Sequence, residues 1–436
     1  MSNDDVLDGF KMTDIGFLPN EWEVTQLERF IESPQYGYTA RAVESTEGPR
    51  YLRITDIQNG IVEWTKVPSC ECDASAREKY GLQDGDIVVA RIGATTGKSF
   101  IFRGSVDTLF ASYLIRIRTK ESLLPEFLHY FFDTRVYWNQ IQKSKGGRLK
   151  GGISIPSLRN LVVPIPPLRE QKRIATVLNS VQESKKRTDV VVNAAKELKK
   201  TLMKHLFTYG PVRMKDATNV ELKETSIGQM PKHWKVIPCG ELCEEVTVGI
   251  VVRPSSYYVV SGVPALRSLN VKEDSLDMSE LVFVSEKDNS TRLAKSRLRK
   301  GDVLIVRTGY PGTSCVVPED LEEANCIDLV VVRTRKEVLQ SSFLSRYLNS
   351  QSGRRQVLAN LTGMAQKHLN IGAVRRTLVP IPPLSEQIRI VEWLSVVDSA
   401  KKSAQVRANT ADTLRRTLLD NLMTGRLRAN NLEVPT

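Results

Sequence analysis

LVVPIPPLREQKRI, from Leu161 to Ile174, returns 216 residues later as TLVPIPPLSEQIRI, from Thr377 to Ile390, with ten of fourteen positions identical. The prolines disfavour helix before them and are tolerated in a first helical turn, so each copy reads as a short strand feeding a helix. Working outward, the same offset aligns GDIVVARIG (Gly85 to Gly93) with GDVLIVRTG (Gly301 to Gly309). It also aligns Phe127-Leu128 with Phe343-Leu344, and LMKHLFT (Leu202 to Thr208) with LLDNLMT (Leu418 to Thr424). At a slightly smaller offset, IGFLPNEWEV (Ile15 to Val24) answers IGQMPKHWKV (Ile227 to Val236), and YLRITDI (Tyr51 to Ile57) answers ALRSLNV (Ala265 to Val271). A period this long excludes a solenoid and means duplication of a whole domain.

Within each copy, short strand-like runs such as GDIVVARIG and SYLIRIRT come first. One helical stretch is expected over Pro125 to Lys143, matched by Ser342 to Asn360, and then a glycine-bearing loop. After PIPPL comes a long polar helix. Its apolar or small residues in copy one are Ile174, Leu178, Val181, Thr188, Val192, Ala195, Leu198 and Leu202. Copy two gives Ile390, Leu394, Val397, Ala404, Ala408, Ala411, Leu414, Leu418 and Leu422. Steps of three and four make this a coiled-coil seam, with Lys185 and Lys199 outside it. Gly210-Pro211 and Gly425 stop the two helices. A helix from Leu168 to Phe207 would span roughly 60 Å at 1.5 Å per residue.

The expected fold is α+β. Two tandem mixed α/β domains, over 1–167 and 211–383, are each followed by a helix, over 168–210 and 384–429, with a tail over 430–436. Antiparallel pairing of the helices would make a dumbbell with a pseudo-twofold repeat.

The 436 residues suit two domains better than one core. Hydrophobic residues at 41% and charged residues at 26% describe a globular chain. A net charge of +12 favours a polyanionic partner, most economically nucleic acid. The acidic opening MSNDDVLDGF reads as no signal peptide, and no run approaches the ~20 apolar residues of a membrane span. Six scattered cysteines read as reduced thiols and point to the cytoplasm.

The paired IG-x-x-P-x-x-W-x-V openings, YGYTA (Tyr36 to Ala40), YLRITDI, the two GD-[IV]-x-x-x-R-x-G segments, the doubled PIPPL-x-EQ-x-RI and the closing LMTGRLR (Leu422 to Arg428) resemble the specificity subunit of Type I restriction-modification systems. The resemblance covers nearly the whole chain. Copy two departs from YGYTA, carrying VTVGIVVRPSSYY (Val246 to Tyr258) there. The resemblance implies a non-catalytic DNA reader with two target-recognition domains, each owning half of a bipartite target, and helices that set the unread gap. It further implies two methyltransferase subunits carrying S-adenosylmethionine and acting on adenine, joined by nuclease-translocase subunits. No cofactor is expected in this chain. The rival readings are a coiled-coil scaffold without sequence-specific DNA binding, and a chain with its own methyltransferase or nuclease activity.

Candidate DNA contacts follow from charge and loop chemistry. GATTGKS (Gly93 to Ser99) has one residue too few for a Walker A loop, and copy two has no lysine there. It reads as a turn between strands, with Lys98 available to a phosphate. Arg91 and Arg307 share one slot, either as structural arginines paired with a carboxylate such as Asp86 or Asp302, or as DNA contacts.

KSKGGRLKGG (Lys143 to Gly152) offers Lys145, Arg148 and Lys150 to phosphates, unless it is a solvated loop. Its partner NLTGMAQKHLN (Asn360 to Asn370) offers Gln366, Lys367, His368 and Asn370, with Gln366 and Asn370 suited to adenine edges. Tyr36, Tyr38, Thr39 and Arg41 either line a groove or, for the tyrosines, pack in the core. In copy two Arg253, Ser255 and Tyr257 take that role. Cys70 with Cys72 and Cys239 with Cys243 lack a second pair or nearby histidines at zinc spacing, which argues against a metal site. The first long helix carries ten Lys or Arg against four Asp or Glu between Arg169 and Thr208, either as a solvated face or as a face toward DNA or a partner.

Overall fold

GDIVVARIG and its repeat form the central strands. The computed structural model describes residues 9–44, 47–58, 60–144, 152–361 and 368–429. These fall into two compact units, one running to Thr188 and resuming at Val406, the other Asp189–Gln405. The expected tail over 430–436 lies outside the described residues.

In the first unit an antiparallel sheet has the order Ser99–Ile101, Ile87–Ala90, Leu114–Ile117, Gln35–Tyr36. All four residues of the strand Ile87–Ala90 are buried, because both faces of the sheet are covered. Ile87 and Val89 join the core beneath the helices, whereas Val88 and Ala90 point into a second core with Leu52, Phe102 and Phe110. The period of two thus divides one apolar run between two cores. A second sheet, ordered Thr108–Phe110, Arg50–Leu52, Ser69–Cys70, Ala42–Val43, lies beyond. Glu23–Gln26 pairs with Val162–Ile165, tying the start of the domain to the PIPP strand.

The second unit repeats this plan. Its main sheet runs Cys243–Val248, Leu329–Thr334, Val303–Val306, Ser314–Val316. Val303 and Ile305 face one core, Leu304 and Val306 the other. Lys235–Pro238 pairs with Leu378–Ile381.

The single helical stretch expected in each copy is two helices. Pro125–Phe131 is followed by Arg135–Ser144, and Ser341–Asn349 by Gln351–Leu361. A hydroxyl residue makes each break. Thr134 Oγ1 donates to the Phe131 carbonyl and accepts from the amide of Tyr137. Ser350 Oγ donates to the Tyr347 carbonyl and accepts from the amide of Gly353. This is N-cap chemistry, and it starts a new helix.

The long helices are continuous over Leu168–Tyr209 and Leu384–Met423. In the first unit Ile174 and Leu178 share a core with Leu419, Leu422 and Met423. In the second, Leu206 and Phe207 share one with Ile390 and Leu394. The start of each helix therefore packs against the end of the other, which is antiparallel pairing. Gly210 (φ 78°) and Gly425 (φ 67°) end the helices in the left-handed conformation expected of them.

The seam departs from the expected one at the C-terminal turns. Leu198 and Leu414 are about half exposed, whereas Lys199 is only 6% exposed and Leu419 is buried. A 3.6-residue helix drifts against a 3.5-residue repeat, so the buried stripe moves one position along. Lys199 tolerates burial because two carboxylates meet its ammonium group.

Candidate nucleic-acid interface

The two repeats build one slot from different side chains. Ala90 pairs with Leu114 and Val306 with Leu329, so Arg91 and Arg307 leave equivalent strand ends beside Tyr113 and Asp328 respectively. In each unit the following segment hydrogen-bonds back to the arginine carbonyl, from Ile153 N at 2.7 Å and from Leu369 N at 3.1 Å.

There the likeness stops. The Arg91 guanidinium lies over the Tyr36 ring, 4.5 Å from its centroid. Among the described residues its buried Nε has no hydrogen-bond partner. Arg307 instead forms an ion pair with Asp328, and its Nε donates to the Leu369 carbonyl at 2.9 Å. Thr308 Oγ1 donates to Asp328 at 3.1 Å and lies 2.7 Å from His368 Nδ1. The expected carboxylates serve other arginines: Asp86 holds Arg118 through two bonds of 2.8 and 2.9 Å, and Asp302 holds Arg333.

Tyr36 pairs with Ile115 on the sheet edge, and its hydroxyl accepts from Ile155 N. Tyr38 is half-buried and packs on Tyr80 at 5.2 Å, the core-packing alternative, while Thr39 and Arg41 are exposed. Gly37 between the tyrosines has a counterpart in Gly249. A Cβ on Gly37 would sit 2.2 Å from the Ala111 carbonyl oxygen, and one on Gly249 would sit 2.4 Å from that of Cys326. Only glycine lets this strand come so close.

Lys98 is exposed in the turn joining Ile87–Ala90 to Ser99–Ile101, where Ala90 N reaches the Lys98 carbonyl, so GATTGKS is a hairpin connection. Arg253 is exposed with φ 42° and precedes the turn Pro254–Tyr257, in which Ser255 is exposed and Tyr257 half-buried. Asn370 caps the helix Ile371–Arg376 by accepting from Ala373 N at 2.8 Å, as Ser154 caps Ile155–Arg159. Lys145, Arg148, Lys150, Gln366 and Lys367 lie outside the described residues. Tyr113 and Asp328 escaped the sequence reading. The signal was the change from Tyr to Asp at the position directly before the aligned strands LIRIRT and LVVVRT.

The repeated Trp and Glu-Gln positions hold each domain on its helix. Trp22 Nε1 donates to Glu170 at 3.0 Å, and Trp234 Nε1 to Glu386 at 2.8 Å. Gln171 accepts from Leu124 N and donates to the carbonyls of Ser122 and Pro166. Gln387 does the same with Gln340 N and the carbonyls of Val338 and Pro382. In the first unit Arg428, from the closing GRLR, completes the site by two bonds to Glu170 of 2.8 and 2.9 Å.

This architecture has a match. The Type I restriction modification DNA specificity domain matches residues 19–192 and again 231–408. The chain belongs to that family. It is the non-catalytic DNA-specificity subunit of a Type I restriction-modification system, with two target-recognition domains. The Type I restriction enzyme MjaVIII specificity subunit of Methanocaldococcus jannaschii is 22% identical over 423 residues, 95% of each chain. The EcoKI specificity subunit of Escherichia coli strain K12 is 23% identical over 400 residues, 87% of this chain and 82% of that one. The crystal structure of a Type I specificity subunit from M. genitalium superposes with a TM-score of 0.61 at 14% identity, covering 92% of this chain and 96% of that one. A chain from a structural study of Type I complex assembly superposes at 0.52 with 20% identity, covering 94% and 99%. Among the described residues no helix is long and apolar enough to cross a membrane.

Proposed function

We propose that each unit reads one half of a split DNA target. The contacts come from Tyr36, Thr39, Arg41, Arg91 and Lys98 with the loop at 145–150 in one unit, and from Arg253, Ser255, Tyr257, Arg307, His368 and the loop at 366–367 in the other. The observation carrying this reading is the duplicated slot: one framework, held by the same Trp–Glu and Gln contacts, presents different side chains at equivalent strand ends. Reading two different half-sites asks for that combination. Helices of 42 and 40 residues, about 60 Å each at 1.5 Å per residue, set the unread gap as a ruler.

The chain acts in the cytoplasm as a scaffold for two methyltransferase subunits that carry S-adenosylmethionine and modify adenine, and for nuclease-translocase subunits. Its net charge of +12 supplies the sequence-independent attraction to DNA.

The test is methylation mapping in a host expressing the complex, with residues 36–150 replaced by the matching segment of another specificity subunit. One half of the methylated motif changes and the gap stays. Change in both halves, or in neither, refutes modular reading. Four residues inserted near Glu183 lengthen the gap and leave both halves unaltered.

A further inference from the structure

The geometry points to Arg91 as a guanine-reading residue of the first domain, a role its repeat mate Arg307 does not share. The inference rests on the DNA-reading assignment above and divides two residues that it treats alike.

Arginine reads guanine by presenting two adjacent donors to O6 and N7 in the major groove. That requires a fork that is oriented and still free. Stacking on the Tyr36 ring orients the Arg91 plane without using a single N–H. Among the described residues no hydrogen bond or ion pair holds its guanidinium, and of its three nitrogens only Nε is shut off from solvent without a partner. The two Nη groups are the part left to meet a base. Beside Arg91, Tyr36 is 37% exposed, Ile92 39% and Tyr113 55%, apolar surface next to a cation with no partner among the described residues.

In the second domain Asp328 stands where Tyr113 stands in the first. It neutralises Arg307, and the Leu369 carbonyl takes Nε. Arg307 thereby ties the strand end to Leu369, next to His368, which Thr308 already holds. It positions Leu369 and His368.

The probe is a pool of duplexes with a randomised core, from which the full-length chain selects binders that are then sequenced. Wild type enriches a two-part consensus with a G·C pair at a fixed place in one half. Arg91→Ala and Arg91→Lys each flatten that pair, lowering the preference for guanine on the order of tenfold or more. Lysine keeps the charge but loses the fork, so its failure separates base reading from phosphate neutralisation. The second half stays enriched in both variants, which shows that the chain is folded. Arg307→Ala instead weakens all positions of the second half together.

Retention of the guanine preference by Arg91→Lys overturns the inference. So does a uniform loss of binding in Arg91→Ala with every position unchanged, or the loss of one guanine position alone in Arg307→Ala. A wild-type pool with no two-part consensus overturns the DNA-reading assignment itself.

Discussion

One repeat position, Tyr130 in the first unit and Arg346 in the second, joins recognition domain to long helices through a neutral bond in one copy and through ions in the other. In the first, Tyr130 donates its hydroxyl to Asn179 at 2.6 Å, and burial pushes that hydroxyl far above the usual phenol range, so it stays a donor. In the second, Arg346 occupies the repeat position of Tyr130 and meets Asp274 at 2.8 Å and Asp398. Lys199 completes the cluster, 3.1 Å from Asp274 and 2.8 Å from Asp398. Asp274 also accepts from Ser345 Oγ and Asn349 Nδ2, both at 2.9 Å. Its backbone at φ 58° turns the hairpin of Val271–Lys272 and Ser275–Leu276. One polar hairpin tip is thus tied to both long helices, where the first unit relies on a hydroxyl–amide pair. Charge at such a joint gives geometric definition at the cost of desolvation, and every member must be paired.

The largest expected effect tests that asymmetry. Arg346→Met leaves the buried Asp274 and the partly exposed Asp398 with one lysine and should cost about 3 kcal/mol. Denaturant unfolding followed by hydrogen exchange should show Ser341–Asn349 opening early while Pro125–Phe131 keeps its protection. Equal loss in both helices would show that the ionic cluster is not local to its unit.

Next come the paired glycines. Gly249→Ala and Gly37→Ala each drive a methyl into a backbone carbonyl and should cost about 1–3 kcal/mol, with weakened DNA binding. A variant that melts and binds as wild type would mean that the edge strand yields without penalty.

Tyr130→Phe removes one hydrogen bond and leaves Asn179 to find water, so about 1 kcal/mol is expected by thermal unfolding. A loss as large as that of Arg346→Met would erase the distinction between the junctions. Arg415 repeats the position of Lys199 but pairs with the partly exposed Asp133 at 3.2 Å. Arg415→Met should therefore cost no more than about 1 kcal/mol.

The smallest effect is a pH dependence. Burial raises the Asp398 carboxyl, but Lys199 and Arg346 more than offset it and hold it below the usual carboxylate value. A depressed carboxyl adds stability above the unfolded value of about 3.9 and loses it as pH falls through the folded one. The second unit should lose this contribution in acid below that point, and Asp398→Asn should flatten the slope. An unchanged slope would place the proton uptake elsewhere.

Much of the fold was legible because it rests on local chemistry written twice. Proline and glycine positions marked the strand-to-helix switch and the helix ends, and GDIVVARIG marked a strand; its burial on both faces came from the structure. The hydroxyl caps at Thr134 and Ser350 were present in the sequence, but the apolar runs on either side masked the break.

The sequence by itself determined the duplication, the two recognition domains, the antiparallel helical pair and the family, since repeated motifs and periodicity are properties of the chain alone. Only the tertiary structure decided the partners of individual charges. Asp328 lies 21 residues from Arg307, Asp274 lies 75 from Lys199, and Tyr36 lies over Arg91 from another strand. An arginine's role depends on which group closes on it, and sheet register and helix packing bring that group from elsewhere in the chain. The same slot therefore holds a fork with no partner among the described residues in one domain and a neutralised clamp in the other.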